Sequence, residues 1–226
     1  MKNHPGLVFG YSSAADGTMS LNGGFANRQA YLATHGCPPN RTVHAGLNHG
    51  TRISEVTATD GGRVIEATDG LITAAANVAL AMTSADCLLA YAYDPDHQVI
   101  ALVHAGRRGL AGRMMTALVE AFQRFGTRPE HLLVTIGPSI CPQHYAVQPA
   151  DAVPFAAWPA AGRRVGEYVQ LDLRLVARRQ LEEAGVGQAN IAFDPRCTFE
   201  EAELFSYRRD HPTTSQLQVG YLMRRS

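Results

Sequence analysis

The middle of the chain consists of two apolar segments separated by a short polar one, and this pattern limits the folds that it can adopt. Residues 88–93 and 99–104 are rich in Leu, Val, Ile, Ala and Tyr, a composition typical of buried β-strands. The residues between them, Asp94 to His97, form a turn sequence. The sequence therefore predicts a β-hairpin, with Cys87 just before its first strand and His104 at the end of its second.

Other segments predict further strands and a few helices. Apolar patterns predict strands at residues 7–11, 42–47, 52–57, 63–67, 78–82, 132–136 and 216–222. Helical spacing predicts helices over residues 110–125 and 173–184, the second capped by Asp172, and shorter helices at 26–34 and 152–158. This irregular order indicates an α+β fold, a mixed β-sheet sandwich flanked by helices, and not a regular β-α-β repeat.

Composition excludes several classes of protein. The 226 residues, of which 46% are hydrophobic, suffice for one domain with its own core, which we place at residues 1–226. The 20 basic and 20 acidic residues give a formal net charge of +0, so nothing indicates binding to nucleic acid or to a membrane surface. Small molecules are the expected partners, and no protein partner is implied.

Terminal and cysteine patterns indicate a cytoplasmic protein. The N-terminal residues lack the apolar segment of a secretory signal, and the longest mostly apolar segment, residues 71–82, is too short to span a bilayer. The four cysteines, Cys37, Cys87, Cys141 and Cys197, have no CxxC spacing, which favours reduced thiols over a disulfide framework. We expect Cys141 and Cys197 to be buried thiols and not metal ligands.

Cys87 and His104 have two interpretations. A cysteine beside an apolar strand is commonly a small buried hydrophobic residue. The hairpin, however, brings Cys87 back toward His104, and His49 lies at a comparable strand break within residues 47–50. One cysteine and two histidines leave room for a fourth ligand, which is the pattern of a catalytic zinc site.

Arg107 and Arg108 follow His104 at the junction between a strand and a helix. A helix N-terminus carries partial positive charge, so two arginines there favour a bound anion such as phosphate or a carboxylate. The alternative is that they pair with an acidic side chain elsewhere or extend into water, as arginines in an arginine-rich chain often do.

Ordered motifs over nearly the whole chain resemble those of a known family. They are Ser20-Leu21-Asn22, SADC at 84–87, VHAGRRG at 103–109, IGPSI at 136–140 with Tyr145, Cys197-Thr198, and FSYRRD at 205–210. In this order they resemble the YfiH family. Its members have been called polyphenol oxidases or laccase-domain proteins, peptidoglycan editing factors and purine nucleoside phosphorylases.

The resemblance implies a site, a fold and an activity. The zinc ligands of the family correspond to His49, Cys87 and His104. Its fold is a mixed β-sheet sandwich between helices, grouped with the catalytic domain of cytotoxic necrotizing factor. The implied activities are phosphorolysis of adenosine, inosine, guanosine and methylthioadenosine, with nucleoside and phosphate as partners, and deamination of adenosine.

Four motifs depart from the family pattern. Arg107 replaces the tryptophan of HAGWRG, Leu47-Asn48 replaces QV, residues 143–145 (QHY) replace CCY, and residues 213–216 replace TGR. The three presumed metal ligands are kept. The departures therefore concern the choice of substrate, because an aromatic ring can stack on a base and an arginine can hold an oxyanion.

Further residues complete the candidate site. Asp86 could orient a ligand imidazole or carry a proton, or it could simply form a turn. Tyr207, Arg208 and Arg209 are candidate substrate-binding residues; in a strand the two arginines would point to opposite faces, so that only one could reach the site. The candidate catalytic residues are Cys87, His104, His49, Arg108 and Asp86.

Two other classes of protein also fit. A metal-independent thiol hydrolase or amidase would use Cys87 as nucleophile and His104 as base, a chemistry suited to editing peptidoglycan precursors. A non-catalytic metal-binding protein would fit the altered motifs. We expect zinc and not copper, because a single Cys/His₂ site lacks the multicopper cluster that four-electron oxidation of phenols requires.

Overall fold

The computed structural model of the protein describes residues 4–211 and 216–226. The first strands in chain order are β1 (Leu7–Tyr11), β2 (Thr42–Gly46), β3 (Ile53–Glu55), β4 (Val64–Glu66), β5 (Gly70–Thr73), β6 (Ala79–Ser84) and β7 (Leu88–Asp94). The later strands are β8 (Val99–Ala105), β9 (Leu133–Ile136), β10 (Ala146–Val147), β11 (Gly162–Val165), β12 (Tyr168–Leu171), β13 (Ile191–Phe193) and β14 (Gln218–Arg224). The α-helices are α1 (Phe25–Thr34), α2 (Arg107–Ala111), α3 (Met114–Gln123), α4 (Pro149–Ala152), α5 (Leu173–Glu183) and α6 (Tyr207–Asp210).

These strands form two large mixed sheets and one small one. The 5-stranded sheet has the order β1-β14-β6-β2-β4, and the 6-stranded sheet has the order β13-β9-β7-β8-β5-β3. The 3-stranded sheet has the order β10-β12-β11. In the first sheet β2 pairs in parallel with both β4 and β6, whereas β14 is antiparallel to its neighbours β1 and β6.

The two large sheets pack face to face, with helices on their outer faces. Leu89, Tyr91 and Leu102 of the 6-stranded sheet share a buried cluster with Val43 and Leu80 of the 5-stranded sheet. The opposite face of the 6-stranded sheet packs against α3 and α5, and the opposite face of the 5-stranded sheet packs against α1. The predicted α+β sandwich flanked by helices is confirmed.

The central hairpin is buried on both faces, which explains its nearly continuous apolar sequence. Leu88, Ala90 and Ala92 of β7 belong to the cluster under the helices, whereas Leu89 and Tyr91 point between the sheets. Strands covered on both faces lose the alternation of polar and apolar residues. The predicted turn is also confirmed, because the Asp94 carboxylate accepts a hydrogen bond from the Asp96 amide at 2.8 Å.

Two predicted helices were wrong in their extent. The helix predicted over residues 110–125 is divided into α2 and α3 by Gly112 and Arg113, and Arg113 has a left-handed φ of 65°. In the segment predicted as a helix at 152–158, α4 ends and a short 3-10 turn follows, since Pro154 has no amide hydrogen to donate. Asp172 caps α5 as predicted, and its carboxylate accepts a hydrogen bond from the Leu175 amide.

Five short strands were not predicted from the sequence. They are β5, β10, β11, β12 and β13. The strand β11 is exposed along its whole length, so burial gives it no apolar alternation to detect. Within the described residues, no helix is long and apolar enough to cross a membrane. Thr213 to Ser215, which fall in the altered TGR motif, lie outside the described residues.

A buried histidine and arginine lie between α1 and the 5-stranded sheet. His44 and Arg28 are both 0% exposed, and the Arg28 Nε donates a hydrogen bond to the Met19 carbonyl oxygen at 2.6 Å. Neither ring nitrogen of His44 and neither terminal nitrogen of Arg28 has a partner among the described residues. Burial, with a smaller contribution from the Arg28 charge, lowers the pKa of His44 to about 3.

This histidine should make the protein sensitive to acid. The folded state keeps His44 neutral, whereas a histidine in the unfolded chain binds a proton below about pH 6.5. Between about pH 6.5 and 3, the unfolded state therefore binds one more proton at His44 than the folded state does. As pH falls through this range, the free energy of unfolding should decrease by up to about 1.4 kcal/mol per pH unit because of His44. His44→Leu should flatten the dependence of unfolding free energy on pH, measured by denaturant titration.

The exposed His35 provides a control. His35→Ala removes one imidazole without opening the core, and this variant should keep the wild-type slope. An unchanged slope in His44→Leu would contradict the role assigned to His44.

Candidate metal site

The hairpin places Cys87 and His104 at the same end of two paired strands. In the register of β7 and β8, Leu88 lies opposite Ala105 and Leu89 lies opposite His104. His104 follows Ile100 and Leu102 on the face that points between the two sheets, and it is 2% exposed. The thiol of Cys87 lies within 4.8 Å of a ring nitrogen of His104. The predicted proximity of these two residues is confirmed.

His49 reaches the same place from the other large sheet. It lies in the loop after β2, where Ala45 and Leu47 belong to the cluster between the sheets. Its ring centroid is 5.1 Å from that of His104. One ligand atom from each of His49, Cys87 and His104 lies within 4.8 Å of the other two. The structure thus brings the three predicted ligands together, across the open end of the sandwich.

Asp69 holds both histidines, although it was not identified from the sequence. Its buried carboxylate lies 3.0 Å from the His104 Nδ1. The same carboxylate accepts hydrogen bonds from the amides of Asn48 at 3.1 Å, His49 at 3.0 Å and Gly50 at 2.8 Å. Asp69 immediately precedes β5, and an acidic residue at the start of a buried strand was the available sequence signal.

Local electrostatics follow from this arrangement. Burial is the largest influence on His104 and lowers its pKa, but the Cys87 and Asp69 charges and hydrogen bonds outweigh it and raise that pKa to about 9. Burial would raise the pKa of Asp69, yet the hydrogen bonds from His104 and the loop amides lower it below its usual value. Burial and the neighbouring His104 lower the pKa of His49. The charges and hydrogen bonds of Asp69, Cys87 and His104 therefore shift the pKa values of Asp69, His49 and His104.

The donor set fits a transition metal of the zinc class. Because Asp69 occupies the Nδ1 of His104, the Nε2 is left to bind a metal ion, and this is how a carboxylate commonly fixes a metal-binding imidazole. Gly106 leaves room for the thiol, since a Cβ there would lie 2.6 Å from the Cys87 Sγ. Two imidazoles and one thiol are typical zinc ligands and leave one position open.

Asp86 braces the loop before Cys87 and contacts neither histidine. Its φ is 84°, and its carboxylate accepts hydrogen bonds from the Thr198 hydroxyl at 2.6 Å and the Arg208 amide at 2.7 Å. It lines the same cavity as Cys87. The contact with a ligand imidazole that was one alternative for Asp86 is made by Asp69, and a role for Asp86 in carrying a proton stays a prediction.

Arg107 and Arg108, which follow His104, lie in different environments. Arg107 pairs with Asp151 at 2.6 Å, the alternative that the sequence left open. Arg108 is exposed and is not among the residues that line the cavity, although its charge contributes to the lowered pKa of His49. A role for Arg108 in binding an anion stays a prediction.

Arg208 and Arg209 lie in the helix α6, so the strand assumed for them was wrong. Arg208 lines the cavity, its guanidinium lies 4.9 Å from the centre of the Tyr145 ring, and its Nη1 donates a hydrogen bond to the Ala146 carbonyl oxygen at 2.8 Å. Arg209 instead donates hydrogen bonds to four backbone carbonyl oxygens between residues 198 and 204. Its contacts indicate a structural role and not the expected contact with substrate.

A cavity of about 550 Å³ opens beside the three presumed ligands. Its wall includes Ser20, Leu21, Asn22, Ser84, Tyr145 and Tyr207. Burial is the main reason that the pKa of Tyr145 is raised, and the neighbouring Arg107 and Arg208 charges act in the opposite direction. Tyr207 is 63% exposed at the rim. Pockets of this size hold small organic molecules, and two phenol rings provide surfaces on which a flat ligand can stack.

Comparison with known proteins identifies the family. The sequence model of a family described as multi-copper polyphenol oxidoreductase laccase matches residues 24–223. The chain belongs to this family. One relative is a protein of Streptomyces coelicolor named purine nucleoside phosphorylase. It is 36% identical to this chain over 199 residues, which are 87% of this chain and 81% of the relative.

Solved structures agree with this assignment. The structure of YlmD from Geobacillus stearothermophilus matches with a TM-score of 0.92 and 31% identity, covering 98% of this chain and 93% of that one. The Bacillus licheniformis hypothetical protein YfiH matches with a TM-score of 0.90 and 25% identity, covering 97% and 93% of the two chains. The resemblance to the YfiH family is confirmed.

Removal of the Asp69 carboxylate charge should weaken metal binding. Asp69→Asn keeps the shape of the side chain but reduces its ability to accept four hydrogen bonds, so the His49 loop and the His104 ring lose their common anchor. We expect metal affinity, measured by competition with a chromogenic chelator, to fall by about 10- to 100-fold, as for other carboxylates that support metal-binding histidines.

Asp60→Asn is the matched control, because Asp60 also accepts a backbone hydrogen bond, from the Thr57 amide, but its other partner is the Arg63 guanidinium and none of the three ligands. Its affinity for metal should equal that of the wild type. Equal affinity in Asp69→Asn would remove Asp69 from the site.

Proposed function

We propose that this laccase-family protein is a zinc-dependent purine nucleoside phosphorylase that accepts adenosine, inosine, guanosine and methylthioadenosine and also deaminates adenosine. Its main support is the convergence of His49, Cys87 and His104 beside a cavity large enough for a nucleoside. Relatives over most of the chain's length carry the name purine nucleoside phosphorylase, which supports the same class of reaction.

The three ligands would hold the zinc ion at the inner end of the cavity. The ion would supply a Lewis acid and would lower the pKa of a water molecule. Asp69 keeps the His104 ring oriented through its Nδ1, and its hydrogen bonds to the loop amides keep His49 in place. Gly106 gives the Cys87 thiol the space that it needs.

Phosphorolysis requires phosphate and nucleoside to bind side by side. A phosphate oxygen forms a bond to the anomeric carbon of the sugar while the bond between that carbon and the base breaks. The base leaves with the electron pair and takes up a proton, and the other product is a sugar 1-phosphate. The protein's part is to hold both reactants and to stabilise the charge that moves onto the base.

Arg208 is well placed to hold the phosphate. Its side chain lines the cavity and is fixed by the Ala146 carbonyl and the Tyr145 ring. Its Nε and Nη2 have no hydrogen-bond partner among residues 4–211 and 216–226. An arginine with free N–H groups and a fixed stem is suited to a phosphate oxygen. Arg108, outside the cavity lining, would add positive charge at its entrance.

Tyr145 and Tyr207 are candidates for contact with the purine base. Both line the cavity, and aromatic side chains commonly stack on flat heterocycles. Deamination would use the same binding position for the base. Water adds at the carbon that bears the amino group, and ammonia leaves. The buried Asp86 beside Cys87 is the carboxylate in the cavity wall, although its oxygens are engaged by Thr198 and Arg208.

A second candidate function is that of a thiol hydrolase or amidase. Asp69, His104 and Cys87 lie in the order carboxylate, imidazole, thiol: the Asp69 carboxylate is 3.0 Å from the His104 Nδ1, and the Cys87 Sγ is within 4.8 Å of a His104 ring nitrogen. This is the arrangement by which a carboxylate orients a histidine base and the base activates a cysteine. Such an enzyme needs no metal and could act on the amide bonds of peptidoglycan precursors.

The proposed reaction can be tested with adenosine and inorganic phosphate. The zinc-loaded protein should release adenine and ribose 1-phosphate in equal amounts, and only when phosphate is present, whereas inosine should form without phosphate. Chromatography of the products separates the two reactions. If neither product forms with any of the four nucleosides, the proposed function is wrong.

Two arginine variants locate the phosphate in the same assay. Arg208→Ala should raise the KM for phosphate strongly, because it removes a guanidinium from the cavity, and Arg108→Ala should raise it less. Since an exposed arginine contributes little to folding, the Tm of Arg108→Ala should stay near that of the wild type. If Arg208→Ala keeps the wild-type KM for phosphate, the anion lies elsewhere.

Alkylation of Cys87 distinguishes the metalloenzyme from the thiol hydrolase. A thiol that binds metal is shielded, so the zinc-loaded protein should resist iodoacetamide, and a chelator should both expose Cys87 and abolish activity. Mass spectrometry of the Cys87 peptide measures the modification. Activity that survives exhaustive removal of metal, and that falls in proportion to alkylation, would instead support the thiol hydrolase.

A further inference from the structure

A second group of metal-ligand side chains lies apart from His49, Cys87 and His104. One ligand atom from each of Cys141, His144 and Glu200 lies within 4.8 Å of the other two. Cys141 precedes the 3-10 turn Pro142–His144, and Glu200 lies in the loop after Thr198. The cluster therefore joins two segments that are far apart in sequence.

The three side chains are already positioned by contacts with one another and with their neighbours. The His144 Nε2 is 3.0 Å from the Glu200 Oε1, and the Cys141 Sγ is 3.8 Å from the same oxygen. The His144 ring is stacked on Phe199, with centroids 4.2 Å apart and an angle of 11° between the planes. An ion pair between His144 and Glu200 does not explain why the Cys141 thiol also contacts the Glu200 Oε1.

Cys197 provides a further sulfur beside this cluster. The Cys141 amide donates a hydrogen bond to the Cys197 Sγ at 3.1 Å. Both cysteines are buried. A thiol, an imidazole and a carboxylate, with a second thiol adjacent, form a donor set for zinc or cobalt and not for magnesium or calcium, which prefer oxygen ligands only.

We propose that Cys141, His144 and Glu200 bind a second divalent transition metal of the zinc class, with Cys197 as the nearest further donor. This metal is structural. It links the turn before Tyr145 to the loop that carries Thr198, and each of these two residues contacts the main site or its support. Tyr145 lines the cavity, and the Thr198 hydroxyl donates a hydrogen bond to Asp86.

The proposal concerns a feature in which this chain departs from the family motifs. His144 lies in the QHY sequence at 143–145, where the family pattern is CCY. The second metal does not depend on the proposed reaction, because its test measures metal content and no catalysis.

Metal content of purified protein, measured by plasma emission after zinc loading and dialysis, tests the proposal. The wild type should retain two zinc ions per chain. Glu200→Gln, at an exposed position, and His144→Ala, at a half-buried one, should each retain one. Gln143→Ala is the matched control, since it truncates an exposed neighbour in the same turn and should retain two.

A double variant, His49→Ala with Cys87→Ser, removes two ligands of the main site and should still retain one ion. Loaded with Co²⁺, this double variant should show a thiolate-to-cobalt charge-transfer band that disappears when Cys141→Ser is added. The proposal is overturned if Glu200→Gln retains as much zinc as the wild type, or if the double variant shows no thiolate-to-cobalt band.

Discussion

The Asp69 carboxylate is the contact on which the candidate site depends. Four N–H groups converge on it: the His104 ring, which comes from the 6-stranded sheet, and three successive amides of the loop that follows β2 in the 5-stranded sheet. A buried carboxylate without partners would be costly. These hydrogen bonds keep its pKa low despite burial, so that it remains an anion and fixes two elements of different sheets to each other.

The sandwich explains why the site lies where it does. Between the sheets the space is filled by side chains such as Tyr91 and Leu102, and the three presumed metal ligands lie where the strands end. His104 and Cys87 continue the inward-facing positions of β8 and β7 by one step beyond the packed region, and His49 does the same for β2. The end of an apolar core thus becomes a polar cavity with a rigid base.

Sequence alone could predict the parts of this site that depend on local pattern. The hairpin length and its turn fix the register that places Cys87 near His104, and the motif order points to His49. Asp69 is 35 residues from His104, and nothing in local periodicity shows that they meet. Arg208 and Arg209 were misjudged for a related reason: strand alternation was assumed, whereas α6 and the carbonyl groups around Arg209 determine where each guanidinium points.

His49 distinguishes the two kinds of chemistry that the site allows. Asp69, His104 and Cys87 alone would serve a thiol enzyme, which has no use for a second imidazole beside the thiol. Yet His49 is held with a φ of 62° by hydrogen bonds from its own amide and those on either side. Left-handed backbone costs a residue with a side chain roughly 1 to 2 kcal/mol. This strained backbone places the His49 imidazole beside the His104 imidazole and the Cys87 thiol. The three side chains need to be close together if they bind one metal ion, so the strain favours the metalloenzyme.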